Sequence, residues 1–464
     1  MLWQKFILTA GSDSQNRVFY EQLSRIPTQN YSESIEVVTD ESPGIRIGSG
    51  GATFNIIRKL LETETYEKLE KSKVLLLHSG GLSQRMPHLS AYGKAFGTLP
   101  NCKSILETKL EIYKNDLLEK LPSTGGIMIT ASDVIENMEN AEKVKSNVDI
   151  IVFAHKSSLE VGTQHGVFVM DKKTRKLKRV LQKPTIEEMR KDGAIMEDEM
   201  VLTDSCYFMT WKFCKKFMEN PLLRSPITEE LCCYGDFMRP MGFDPKLDYI
   251  EASGSEQLKS YRKALADIFS TANVEISVLG ENSFFHFGTY QEYIEHLLPN
   301  SIYRNSFPGA FKSNIVFSNG ISKLPEQSFV EFSTGSLEVG KNSIVSGIDA
   351  GNSEIIIPSN TVVFTLALKT KTFVTIIIKI DEDIKKVCDR VKWNGHDTEI
   401  SDKSIWDAPL FGTFETREKS LKTALFEWEN GIKRKNEERV SISEAVMMHD
   451  FEADLERRRW LTHL

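Results

Sequence analysis

Short apolar runs alternate with longer amphipathic stretches over the first part of the chain. "KFILTA" (Lys5–Ala10), "SIEVV" (Ser34–Val38), "VLLLH" (Val74–His78), "GIMITASD" (Gly126–Asp133) and "VDIIVFAH" (Val148–His155) have the length and β-branched or apolar content of buried strands. Between them, "QNRVFYEQLSRI" (Gln15–Ile26), "ATFNIIRKLLETETYEKL" (Ala52–Leu69) and "ILETKLEIYKNDLLEKL" (Ile105–Leu121) repeat their apolar positions with helical spacing. This alternation predicts an α/β fold, with a mostly parallel sheet between two layers of helices. Such a sheet takes its ligand where the strands run out, at the carboxyl edge. The helical patterns "EQLKSYRKALADIFSTA" and "YQEYIEHLL" carry this texture to about residue 300.

Beyond "PNSIYRNSFPGA" the helical period stops, and short β-branched runs alternate with Gly, Ser, Asn and Pro. Three of these runs share a pattern: "LPEQSFV" (Leu324–Val330), "VGKNSIV" (Val339–Val345) and "IPSNTVV" (Ile357–Val363). Each places a Ser or Thr before two apolar residues. Successive corners of a stacked parallel β-helix have this form, because every coil hides its inward apolar side chains under the next. An irregular antiparallel sandwich is the competing reading. The expected division is a domain over 1–300 and a β-helix-like domain over 301–464. The latter should end in a helical tail, "SISEAVMMHDFEADLERRRWL", that opens with a capping box at Ser441 and Glu444.

Composition narrows the class without changing this picture. The 464 residues are 40% hydrophobic and 27% charged, with a net charge of -7, so no nucleic-acid or membrane partner is expected and any phosphate must be held by a local site. The six cysteines have neither C-x-x-C spacing nor zinc-spaced histidines, which predicts free thiols in a reducing compartment. No signal peptide or membrane-spanning stretch stands out, so the expected location is cytoplasmic. The oligomeric state is not fixed by the pattern.

The candidate chemistry begins where "VLLLH" runs into "SGGLSQRMPHLSAYGKAF". Glycines after a buried strand let a negatively charged group approach the backbone. Neither the Walker nor the dinucleotide glycine spacing is met. Ser79, Gly80 and Gly81 would admit a triphosphate, while Arg85 and Lys94 would neutralise a departing pyrophosphate. A glycine turn with two surface cations is the alternative. A second glycine run, Gly48, Ser49, Gly50, Gly51 and then Thr53, opens a helix; it reads equally as a nucleotide site or as a tight turn and cap. Thr203 and Asp204 in "LTDSCYF" follow an apolar strand and are candidates to bind the polar groups of a ligand, with a cap or turn as the alternative. His286 and Thr289 in "FFHFGT" are candidates of the same kind, set against a structural histidine.

The order of apolar strand, Gly-Gly, Arg, Pro and Lys resembles the signature of sugar-1-phosphate nucleotidyltransferases. The elements "RIGSGGATFNIIRKL", "HGVFVMD", "YGDFMRPMG", "FFHFGTYQEYIEHL" and "IWDAPLF" look, more narrowly, like the fucose-1-phosphate guanylyltransferase (GDP-L-fucose pyrophosphorylase) family, nearly end to end. The resemblance implies a Rossmann-like nucleotidyltransferase domain ahead of the β-helix-like one. It implies Mg2+ on Asp133, with Asp236 as a second carboxylate, although each reads otherwise as a cap or salt-bridge residue. Lys183, in "VLQKPT", would grip the phosphate of the sugar phosphate, with Gln182 standing where the family's element has Glu. The implied reaction joins GTP and β-L-fucose 1-phosphate to give GDP-L-fucose and pyrophosphate. A related enzyme for another sugar or nucleotide, or a silent sugar-nucleotide sensor, would share these loops. No kinase-type glycine loop appears, unlike in bifunctional fucokinase relatives.

Overall fold

Strands form where the apolar runs predict them. The computed structural model describes residues 1–40, 45–81, 83–144, 147–252, 254–307, 311–432 and 438–463. They pack into two compact units, Met1–Gly81 with Glu107–Phe284, and Leu82–Leu106 with Phe285–Leu464. Compactness therefore follows a different line from the expected 300/301 boundary, because segment 82–106 packs with the later part of the chain.

The first unit contains β1 (Lys5–Ala10), β2 (Ile35–Thr39), β3 (Lys73–His78), β4 (Gly126–Ala131), β5 (Val134–Glu136), β6 (Ile150–Ser157), β7 (Gly166–Met170), β8 (Leu177–Gln182), β9 (Val201–Thr210) and β10 (Val274–Val278). The main sheet runs β10-β6-β9-β4-β3-β1-β2, and β7 and β8 attach beside β9. β2, β1, β3 and β4 are mutually parallel, and β9 runs antiparallel between β4 and β6. β1 connects outward to β2 while β3 connects the other way to β4, so the strand order reverses between β1 and β3. Ligands of open α/β sheets settle outside the carboxyl ends at such a reversal. Because β9 is antiparallel to β4, with Ile129 opposite Tyr207, the first residues of β9 share the edge where β3 and β4 end. The coarse α/β class holds.

Burial explains why the sheet is stable. Every residue of β9 is buried, and Ile127, Ile129, Val152 and Tyr207 share a core with Trp211, Phe213 and Phe217 of the helix Trp211–Glu219. Phe54 meets Phe217 edge to face at 5.0 Å between centroids, a favoured aromatic geometry. Two long helices differ from expectation. The first runs Gly48–Thr63 and stops, because Glu64 and Thr65 adopt extended backbone before a short turn at Tyr66–Leu69. The second is α-helical over Ile105–Ile112 and continues as a π-helical turn over Tyr113–Leu117.

In the second unit the three repeats stack in register. Val330 lies opposite Val345, and Val345 opposite Val363, in parallel ladders. The Ser/Thr of each repeat ties one layer to the next: Ser343 N donates to Ser328 Oγ at 3.2 Å, and Thr361 N to Ser343 Oγ at 3.3 Å. The step is 15 residues for the first pair and 18 for the second, and the insertion "GIDAGNSE" lies within the longer step. After Thr361–Ala367 the pairing turns antiparallel through Phe373–Lys379, Phe411–Phe414 and Arg439–Val440. The tail forms two helices instead of one. The Ser441–Glu444 capping box opens Ile442–Met447, and Phe451–Thr462 follows after a break. The break arises because Asp450 N donates to Ala367 O at 2.8 Å and Met448 O accepts from Lys369 N at 2.8 Å, which diverts the backbone out of helical bonding.

Among the described residues no helix is long and apolar enough to cross a membrane. All six cysteines are unpaired.

Candidate active site

The reversal point is built from two turns that face each other. A Cβ on Gly80 would stand 3.5 Å from Gly11 N, and one on Gly11 3.6 Å from Gly81 N, so each turn leaves room for the other. Gln15 bridges them: its Oε1 accepts from Gly11 N at 2.7 Å, and its Nε2 donates to Gly81 O at 3.3 Å. Gly80 and Gly81 are exposed, and among the described residues neither amide donates a hydrogen bond. Beside them Ser79 Oγ is buried without a partner. Gly81 has a φ of 117° with open space where a side chain would project. Two unspent amides on a strand-end turn form a concavity suited to an anion.

The turn is braced from below. Ser79 N donates to Thr9 Oγ1 at 3.1 Å, and His78 lies between Thr9 Oγ1 (3.4 Å, to Nδ1) and Thr53 Oγ1 (2.9 Å, to Nε2). Thr53 gives its own proton to Ser49 O at 2.9 Å, so His78 Nε2 donates and Nδ1 accepts. This chain needs a neutral imidazole, and burial pushes the His78 pKa down to about 4.

The second glycine run has a different condition. Gly50 N donates to Leu231 O at 2.8 Å and Gly51 N to Ile47 O at 3.3 Å. Ser49 Oγ accepts from Cys233 N at 3.0 Å, and Thr53 Oγ1 is committed as described. A Cβ on Gly50 would come within 2.9–3.0 Å of Leu231, and one on Gly51 within 2.7 Å of Ile47 Cβ. These glycines let the helix start lie against its neighbours. The amides of Gly50 and Gly51 and the hydroxyl of Thr53 are bonded within the protein and Ser49 Oγ accepts a bond, which is the arrangement the tight-turn reading of this run describes.

Asp133 lies in the turn after β4, half-buried, and Ser132 N anchors that turn to His78 O at 3.1 Å. Asp236, the other candidate metal carboxylate, has a structural role. Its Oδ1 accepts from Arg262 Nε at 2.8 Å, its Oδ2 accepts from Cys232 N at 2.7 Å, and its side chain is buried. No group of three or more His, Cys, Asp or Glu with metal-holding geometry occurs among the described residues. Asp133 supplies a single hard carboxylate on a strand-end turn, the donor type that Mg2+ takes alongside phosphate oxygens and water.

Further along the same edge, β7, β8 and β9 bring Gly166, Gln182, Lys183, Thr203 and Asp204 together. Asp204 Oδ1 accepts from Gly166 N at 2.9 Å, and a Cβ on Gly166 would meet Asp204 Oδ2 at 2.5 Å and Gln182 Oε1 at 3.2 Å. Gln182 Oε1 is buried without a partner. Lys183 is exposed, held at a φ of 48°, with its amide on His165 O at 3.0 Å. Burial raises the Asp204 pKa to about 7, against the Gly166 amide and the Lys183 charge, which pull it down. Thr203 Oγ1 pairs with Ser157 Oγ at 2.7 Å. Below it, His155 joins Ser283 Oγ (2.7 Å) and Ser205 Oγ (2.6 Å), beside a register shift in the β6–β9 ladder.

Arg85, Lys94, His286 and Thr289 belong to the second unit. Arg85 is exposed and has no ion-pair partner among the described residues. Lys94 Nζ donates to Gly288 O at 3.1 Å. Thr289 caps the helix Tyr290–Leu297 in a capping box with Glu292, and His286 Nδ1 pairs with the same glutamate at 2.9 Å. Both side chains are thus engaged in a helix start, the structural alternative for this pair.

The model of the fucose pyrophosphorylase domain matches residues 66–426. The chain belongs to the fucose pyrophosphorylase family. It is similar to a fucose-1-phosphate guanylyltransferase of Mus musculus, 30% identical over 341 residues, covering 64% of this chain and 57% of that protein. It is also similar to a fucose-1-phosphate guanylyltransferase of Homo sapiens, 27% identical over 448 residues, covering 83% and 73%. An L-fucokinase/L-fucose-1-P guanylyltransferase of Bacteroides fragilis is 23% identical over 380 residues, covering 75% of this chain and 38% of its own length. The match thus spans little more than half of the mouse protein.

Within this family member, the sequence reading missed Gly11, Thr9, Gln15 and the buried His155. Gly11 had a usable signal, since it follows an apolar strand as Gly80 does. The other three act through partners 50 or more residues away, and no spacing rule shows such contacts.

Proposed function

We propose that this chain transfers GMP from GTP to β-L-fucose 1-phosphate, forming GDP-L-fucose and releasing pyrophosphate. The observation that carries the reading is the pair of unspent amides at Gly80 and Gly81, on the strand-order reversal of a fucose pyrophosphorylase family sheet. An oxygen of the sugar phosphate attacks the α-phosphorus. A new P–O–P bond forms, the bond to the β-phosphate breaks, and its electron pair leaves with pyrophosphate. The nucleophile is already anionic, so no general base is needed; catalysis rests on alignment and charge neutralisation.

In this reading Ser79, Gly80 and Gly81 take the triphosphate, Arg85 steadies the departing pyrophosphate, and Lys94 offsets charge at the transferring phosphoryl. Lys183 holds the phosphate of the sugar phosphate, and Asp204 and Thr203 face its hydroxyls. Asp133 would hold Mg2+, which supplies charge neutralisation at the phosphates when bound. The finer architecture of the family, a Rossmann-like domain and a β-helix-like domain, is part of the same proposal, supported by the strand-order reversal and the stacked repeats. Six unpaired thiols support work in a reducing compartment such as the cytoplasm.

The test is pyrophosphate release across four nucleoside triphosphates and a panel of sugar 1-phosphates with Mg2+. Release is expected to be fastest with GTP and β-L-fucose 1-phosphate. Faster release with another pair would reassign the substrates, and no release with any pair would remove the activity.

A further inference from the structure

A buried cation stands directly behind the turn that carries Asp133. Lys109, on the helix Ile105–Ile112, has a side chain 1% exposed, and Glu136 on β5 is fully buried. Its ammonium donates to Ala131 O at 2.9 Å and to Val134 O at 2.8 Å, and the Glu136 carboxylate stands 2.9 Å away as its ion-pair partner. The two carbonyls flank Ser132 and Asp133. The surroundings complete the set, since Tyr113 donates to Thr130 Oγ1 (3.1 Å), Thr130 donates to Glu136 Oε1 (3.3 Å), and the Tyr113 ring lies 5.2 Å from Lys109 Nζ.

A buried ion pair is a poor device for stability, because the desolvation of two charges offsets their attraction, and apolar residues of similar volume do as well or better. What apolar residues cannot do is grip two carbonyls on either side of a turn. With Ser132 N fixed to His78 O at 3.1 Å, the Asp133 backbone is held from the helix layer and from the neighbouring strand at once. We infer that Lys109 is a positioning residue, a strap that fixes the Ser132–Asp133 turn so that the Asp133 carboxylate meets a divalent cation at the nucleotide phosphates. Glu136 stands beside that ammonium as its buried ion-pair partner.

The inference rests on the metal role proposed for Asp133, and its test separates the two. Mn2+ binding to the full chain with GTP is measured by electron paramagnetic resonance, beside thermal unfolding and pyrophosphate release. The double variant Lys109→Met/Glu136→Met removes both charges and is expected to stay folded, yet to bind Mn2+ at least about 10-fold more weakly, the usual scale for losing an outer support of a metal ligand. Glu136→Gln keeps an acceptor for Lys109 and both carbonyl bonds, so its Mn2+ affinity should stay within roughly twofold of wild type, whatever its thermal midpoint. A folded double variant with wild-type Mn2+ affinity overturns the strap. So does a Glu136→Gln variant that loses metal while its fold persists, which decides the matter even where the double variant does not fold. A wild-type chain that releases pyrophosphate without binding Mn2+ overturns the metal role of Asp133, and the strap with it, while leaving the proposed reaction in place.

Discussion

The two glycine-rich stretches of the first unit look alike in sequence and differ in what their backbones are doing. At Gly48–Gly51 the amides of Gly50 and Gly51 are spent on Leu231 and Ile47, and an added Cβ on either would collide. At Gly80–Gly81 neither amide donates a hydrogen bond among the described residues, a Cβ on Gly80 would meet only ordinary contacts at 3.5–3.9 Å, and no described atom lies within 4 Å of where a Gly81 side chain would project. Glycine serves packing in the first place, and access is the role proposed for it in the second. A glycine that is needed because a neighbour is too close contributes to stability, whereas one with room around it is available to a ligand.

Asp204 sharpens the contrast, because the ligand edge holds groups in states that cost stability. Its folded pKa, raised to about 7, lies above the ordinary unfolded value. Below about pH 4 it is protonated in both states and has no effect; between about 4 and 7 the unfolded chain releases the proton while the folded chain keeps it, so stability falls as pH rises. Denaturant unfolding should show that fall, on the order of 4 kcal/mol, levelling off above about pH 7. Asp204→Asn should remove it, and an Asn variant with the same slope would assign the fall to other groups.

Gly48→Ala attacks the packing side. Gly48 has a φ of 67°, and a Cβ there would strike the Leu231 carbonyl, so backbone strain and overpacking together should cost on the order of 3 kcal/mol in unfolding free energy. A variant as stable as wild type would contradict the packing role. Lys94→Ala tests the charge role proposed for a lysine of the second unit. It should lower kcat about 100-fold, close to 2.7 kcal/mol, with little change in the thermal midpoint. Near-wild-type turnover would remove Lys94 from the machinery.

Much of the sheet was legible because β1, β3, β4 and β6 are buried strands, and burial leaves an apolar run in the sequence. The Ser and Thr of the three repeats were legible as a pattern, and their reason is physical: each hydroxyl at Ser328 and Ser343 accepts the amide of the next layer. Helix ends were less legible. The stop at Glu64 and the tail break at Met448–Asp450 are set by backbone geometry and by pairing with Ala367–Lys369, not by a breaker residue. The candidate site was readable as a set of glycines and cations, since anions need such groups at strand ends. Whether a glycine's amide is spent depends on a partner such as Leu231, 181 residues from Gly50, and no local pattern carries that information. Asp236 shows the same limit, because its Arg262 partner lies 26 residues on.

The most direct test of the central claim, that the triphosphate is taken at the reversal point between β1 and β3, is the GTP dissociation constant of Gly80→Ala measured by calorimetry beside its thermal midpoint. A methyl group there meets only ordinary contacts with the Ala10–Gly11 backbone, and it adds bulk to the turn proposed to take the triphosphate. The expected result is an unchanged midpoint with GTP held at least about 10-fold more weakly, roughly 1.4 kcal/mol. Wild-type GTP affinity in that variant would contradict the account.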